Sequence, residues 1–153
     1  MFLTPHAATG LYLGSQVDNV WLAFILGIVS HLILDMIPHG DDGLADNWPR
    51  KTKIIRLSIF VAIDMALITA MTYYLTVHNF ISLSPAVMAG LIGSILPDYI
   101  WGWHEISKDK ISGWISSQIL YRLHHFLPVK LPLIIGIFIQ LAALAIFLAL
   151  LIS

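Results

Sequence analysis

Long apolar runs recur in this chain, at Val20–Ile37, Ile54–Val77 and Leu131–Leu151, and they restrict its fold more than any other feature. Each is close to the roughly 20 residues needed to cross the ~30 Å hydrocarbon layer of a bilayer. No water satisfies a bare peptide group there, so such a run must close its hydrogen bonds internally, as a helix. Composition agrees, with 58% of the 153 residues hydrophobic against roughly 45–50% in soluble domains. The reading is an all-α polytopic membrane helix bundle forming a single integral-membrane domain over residues 1–153. A net charge of −1 offers no basic surface to nucleic acid, and the absence of cysteine excludes disulfides, thiolate catalysis and thiolate metal sites. His, Asp and Glu are then the strong ligands available. The stretch Met1-Phe2-Leu3-Thr4-Pro5-His6 has no positive n-region and no small-residue cleavage site, so the chain is expected to insert through its own spans.

Local signals divide the chain into elements. Thr4-Pro5 reads as an N-cap followed by proline at the first helical position, opening a short helix or half-span from His6 to Gln16. Asp18-Asn19 caps a second helix, Val20 to about Ile37, and a third runs from Lys53 or Ile54 to about Val77. Ser84-Pro85 repeats the cap-plus-proline signal for a fourth helix expected to end at Pro97-Asp98. Residues 107–127, less apolar, read as an interfacial helix, and 131–152 as a featureless C-terminal anchor span. The total is about four spans besides the short N-terminal helix and the interfacial one. Positive charges gather at Arg50, Lys51, Lys53 and Arg56 and again at Lys108, Lys110, Arg122 and Lys130. The positive-inside rule places both groups on the cytoplasmic side of a bacterial-type inner membrane, with the turn at His78-Asn79 facing outward.

Against this apolar background the polar residues stand out. His31 and Asp35 are four apart and share one helix face. Pro38 and Gly40 then stop the helix and bring His39 round its end. On the topology above, His6, Asp35, His39, Asp98, His124 and His125 all fall near the cytoplasmic boundary. His31 lies about 10 Å and Asp64 about 15 Å below it by helix rise. Small residues recur every fourth position in line with these groups: Gly14 and Gly10 with His6, Ala23 and Gly27 with His31 and Asp35, and Gly90 and Ser94 with Asp98. Stripes of this kind let membrane helices approach closely, so each candidate ligand is expected to face a neighbouring helix. Intramembrane carboxylates are rare and usually face a cavity or a partner, which singles out Asp64. His78, His104 and the tryptophans read as interfacial residues.

The run Gly27-Ile28-Val29-Ser30-His31-Leu32-Ile33-Leu34-Asp35 resembles the Ser-His-x-x-x-Asp helix of the bacterial inner-membrane metal-dependent hydrolases, the LexA-regulated YdjM-like family. Gly93-Ser94-Ile95-Leu96-Pro97-Asp98 is similar to its Gly-Ser-x-Leu-Pro-Asp motif, and Thr4-Pro5-His6 with Gly10 to its N-terminal histidine followed by glycine. The spacing His31-x3-Asp35-x3-His39 is also similar to the signature of zinc-dependent phospholipase C proteins. After Asp98 this chain has Tyr99-Ile100-Trp101, where the family usually carries a further Asp-His. The resemblance implies a metal-dependent hydrolase.

The expectation is therefore a divalent metal held by His6, His31, Asp35 and Asp98, with Asp64 as a further ligand or a carboxylate orienting a histidine. The all-N/O donor set suits Zn²⁺, then Mn²⁺ or Fe²⁺. Such an ion lowers the pKa of bound water to about 7 and polarises an ester or phosphoryl oxygen. His39 or His125 would act as general acid or base. A site at headgroup depth points to a membrane lipid ester or phosphoester as substrate. The same residues also fit a proton- or metal-ion-coupled transporter or a non-catalytic scaffold. Transport sites lie near the midplane and need access from both sides, whereas most of these candidates lie toward one face.

Overall fold

The computed structural model describes residues 1–40, 48–107, 110–111 and 131–153. Among the described residues there are five helices and no strand: α1 (Leu3–Ser15), α2 (Val20–Asp35), α3 (Arg50–Val77), α4 (Pro85–Ser107) and α5 (Leu133–Ile152). The expected interfacial helix over 107–127 lies almost wholly outside the described residues.

The capping residues act largely as their chemistry dictates. The Asn19 side chain accepts the Leu22 N–H at 3.0 Å and starts α2, and the Ser84 hydroxyl accepts the Val87 N–H at 3.2 Å, with Pro85 as the first residue of α4. Between α3 and α4 the chain reverses at Asn79, which takes a left-handed φ of 59°. That conformation is open to asparagine at small cost, and it lets the Phe80 and Ile81 N–H groups both reach the Leu75 carbonyl.

Three boundaries differ from expectation by three residues or more: α3 starts at Arg50 rather than at Lys53 or Ile54, and the other two involve proline. The first helix begins at Leu3, so Pro5 sits inside its first turn, where a missing N–H costs nothing because no intrahelical acceptor exists there. The fourth helix does not stop at Pro97 but continues to Ser107. Proline removes one intrahelical bond, to the Gly93 carbonyl, and the packing of α4 against α1 and α2 carries the helix through that gap.

The centre of the bundle is α1. Ten of its 13 residues are buried, the polar Thr4, His6 and Thr9 among them. The small-residue stripes meet as the spacing predicts. A Cβ added at Gly10 would strike the Gly90 carbonyl and the Ser94 side chain; at Gly14, the backbone of Ala86 and Val87; at Gly27, the Gly90 carbonyl and the Ser94 nitrogen; and at Gly93, the Phe24 carbonyl. The backbones of α1, α2 and α4 are thus in direct contact. Leu3, Ala7 and Leu11 of α1 then pack on Ile68 and Leu75 of α3 and on Leu151 of α5.

Two helices, α3 and α5, are long and apolar enough to cross a membrane. Only 11% of the most apolar stretch of each is buried, with Ile59, Ile63 and Leu67 of α3 and Ile134, Phe138 and Leu141 of α5 exposed. A core helix of a water-soluble protein would be mostly covered. The expected anchor α5 is also not featureless, since it contributes a buried glutamine, Gln140, to the interior.

Candidate metal centre

The end of α2, the start of α1 and the Pro97 segment of α4 converge at one point. His6 and His31 are fully buried and stack with ring centroids 4.0 Å apart at 26°. Asp35 links them, with Oδ1 3.1 Å from His6 Nε2 and Oδ2 3.1 Å from His31 Nε2. Asp98 approaches from α4, its Oδ1 3.8 Å from His31 Nε2. One nitrogen from each imidazole and one Asp98 oxygen lie within 4.8 Å of one another, a group that could hold a metal ion.

Ring orientation follows from hydrogen-bond chemistry. A carbonyl can only accept, so the 2.7 Å contact of His31 Nδ1 with the Ser94 carbonyl is an N–H donation. In the neutral ring this leaves Nε2 as a lone pair, and that lone pair faces the two carboxylates. Lone pair against carboxylate is repulsive unless a proton or a cation lies between them. A histidine that donates one ring N–H to a backbone carbonyl has the orientation usual for a metal ligand on its other nitrogen, here the nitrogen that faces Asp35 and Asp98. His6 presents a related case. Its Nδ1 is buried and has no hydrogen-bond partner among the described residues. With Nε2–H donating to Asp35, Nδ1 carries a bare lone pair; with the proton on Nδ1, Nε2 is free to face a cation beside Oδ1. In either form a buried ring nitrogen lacks a partner that a divalent ion would supply.

The spacing fits as well. Around an ion with bonds of about 2.0–2.2 Å, tetrahedral ligand atoms stand roughly 3.3–3.6 Å apart. Within the His6, His31 and Asp98 group, His31 Nε2 stands 3.8 Å from Asp98 Oδ1, close to that range, while Asp35 lies at hydrogen-bond distance, 3.1 Å, from each ring through a separate oxygen. Exposure is graded across the cluster: the imidazoles are closed off, the Asp35 side chain is 13% exposed, and that of Asp98 is 30% exposed. The site opens on the Asp98 side.

The four residues expected as ligands are therefore brought together, while the others take different places. Among the described residues, Asp64 does not meet a histidine. It lies beside the first turn of α1, where its oxygens accept the Leu3 N–H at 3.0 Å and the Thr4 hydroxyl at 2.6 Å. Thr4, expected as a local cap, is thus committed to another helix. His39 is buried with both ring nitrogens engaged, Nδ1 donating to the Ile37 carbonyl at 2.7 Å and Nε2 lying 2.6 Å from the Met1 nitrogen. That nitrogen also donates to Asp35 Oδ1 at 3.1 Å, so it bridges His39 to the cluster. His124 and His125 lie outside the described residues.

Gln140 is the participant that sequence reasoning missed. It accepts the Phe2 N–H at 2.8 Å and donates to the His39 carbonyl at 3.0 Å. Beside it Gly136 lies against the His39 carbonyl and Gly40, whose φ of 77° requires glycine. A lone amide in an otherwise apolar helix was the available signal, because such a group needs partners inside the bundle. Comparison with protein-family models, with curated proteins and with solved structures finds no match to this chain.

Proposed function

We propose that this chain is a membrane-embedded metal-dependent hydrolase of about four spans, in which His6, His31, Asp35 and Asp98 hold a divalent ion, Zn²⁺ before Mn²⁺ or Fe²⁺. What carries the reading is the orientation of His31. Its Nδ1 is fixed on the Ser94 carbonyl while Nε2 faces two carboxylates. The motif resemblance to the YdjM-like hydrolases, which includes His31, Asp35 and Asp98, supports the same conclusion. When bound, the ion would supply an activated water and polarise an ester or phosphoryl oxygen. The chain's own groups do the rest. Asp35 holds both imidazoles in register, and Asp98, the most exposed of the four, borders the side from which substrate enters. His39, with both nitrogens engaged, is poorly placed for proton transfer, so that role passes to His125. The apolar outer faces of α3 and α5 support a lipid setting for the site, and the charge distribution supports a position toward the cytoplasmic face of the inner membrane. A lipid ester or phosphoester is the substrate class that reaches such a site.

Metal content of the purified protein, compared with His31→Ala and Asp35→Ala, tests the centre. The wild type should carry metal and both variants should lose it. A panel of lipid esters and phosphoesters then tests the chemistry. A metal-loaded protein inert on every ester that moves ions across liposomes would overturn the hydrolase and favour a transporter.

A further inference from the structure

We propose, resting on the metal reading above, that Asp64 and Gln140 are positioning residues for the centre, gripping the first turn of α1 from α3 and α5 and thereby setting the place of His6. The first N–H groups of any helix have no acceptor within it, and they are usually met by a neighbouring side chain. In α1 the N-cap Phe2 makes no side-chain cap bond. The acceptors come instead from distant helices: Asp64 Oδ2 for the Leu3 N–H and Gln140 Oε1 for the Phe2 N–H. The second Asp64 oxygen takes the Thr4 hydroxyl, so the carboxylate grips two successive residues. Both side chains are buried, Asp64 at 8% and Gln140 at 3% exposure. A carboxylate and an amide facing lipid would be costly, and here each is fully used inside the bundle.

The grip reaches the site because His6 belongs to the same turn, two residues beyond Thr4. Gln140 extends it further, since its Nε2 donates to the His39 carbonyl, on the chain leaving α2 just beyond Asp35. One amide thus ties the helix that carries His6 to the segment following the helix that carries His31 and Asp35. Ligand atoms in a metal site tolerate displacements of only about 0.2 Å. Loosening the first turn of α1 would move His6 by more than that while leaving the glycine contacts of Gly10 and Gly14 in place.

The test uses the full-length protein in detergent micelles titrated with Co²⁺, whose d–d absorption reports coordination geometry, with unfolding of the metal-free protein measured in parallel. Wild type should bind with a defined spectrum and His31→Ala should not. Asp64→Asn, Gln140→Leu and Thr4→Val should each bind about tenfold or more weakly, the range for residues that orient metal ligands, and with altered band intensities. Thr4→Val and Gln140→Leu remain decisive if Asp64→Asn fails to fold. Variants that unfold more readily yet keep wild-type affinity and spectrum would make these contacts purely structural and overturn the proposal alone. A wild type that takes up no Co²⁺ would overturn the metal reading and this proposal with it.

Discussion

Gly10→Ala should damage both the bundle and the candidate centre, and the size of the effect follows from a single distance. A Cβ at position 10 would stand 2.5 Å from the Gly90 carbonyl oxygen and 2.8 Å from Ser94 Cβ, where ordinary contact begins near 3.4 Å. The oxygen belongs to a helix backbone and has no rotamer to escape into, so α1 and α4 must separate by roughly 0.9 Å to restore that contact. Overpacking of this kind costs about 1–3 kcal/mol, which outweighs the gain of up to about 1 kcal/mol from replacing a helical glycine by alanine. His6 precedes Gly10 by one turn, and Asp98 follows Ser94 by one turn. The same separation therefore pulls His6 on α1 away from Asp98 on α4, by several times the ~0.2 Å that coordination of an ion between them would tolerate. The control is Gly102→Ala on α4 itself, where an added Cβ meets nothing within 4 Å. Unfolding in detergent and Zn²⁺ affinity, measured on both variants, should show a loss for Gly10→Ala and none for Gly102→Ala. Equal behaviour of the two would refute the close approach of α1 and α4 on which the geometry of the site depends.

Two further outcomes are expected. Leu75→Ala, at a fully buried position packed among Leu11, Ile68 and other core residues, should cost about 2–5 kcal/mol, whereas Leu67→Ala on the exposed face of the same helix should stay within about 0.5 kcal/mol in unfolding measurements. Because the chain has no cysteine, single-cysteine labelling reads topology directly: Asn79→Cys should react with an impermeant maleimide from outside intact cells and Lys51→Cys only after permeabilisation. Labelling of Lys51→Cys from outside intact cells would refute the positive-inside assignment, and labelling of both positions from the same side would refute the span between them.

Much of the fold was legible because it rests on local rules. Asn19 caps α2 as its residue type and position predict, and the fourfold spacing of Gly10, Gly14, Gly27 and Gly90 marked the faces where helices touch. The candidate ligands lie on those faces, so His6, His31, Asp35 and Asp98 group together on sequence spacing alone. The continuation of α4 beyond Pro97 was not legible, because proline's local penalty is visible in a sequence while the packing that offsets it is not.

What the sequence determined by itself was the apolar character of its runs and their periodicity: long runs that form helices, and stripes of small residues that face one another. Only the tertiary structure decided which partner each buried polar group takes. Asp64 could have met a histidine on depth alone, yet it grips Leu3 and Thr4 across some 60 residues of chain, and Gln140 joins Phe2 to His39 from the far end of the sequence. Helical spacing fixes the face on which a side chain lies but not the rotation and register of the helix opposite. Those are set jointly by all the contacts of the assembled bundle.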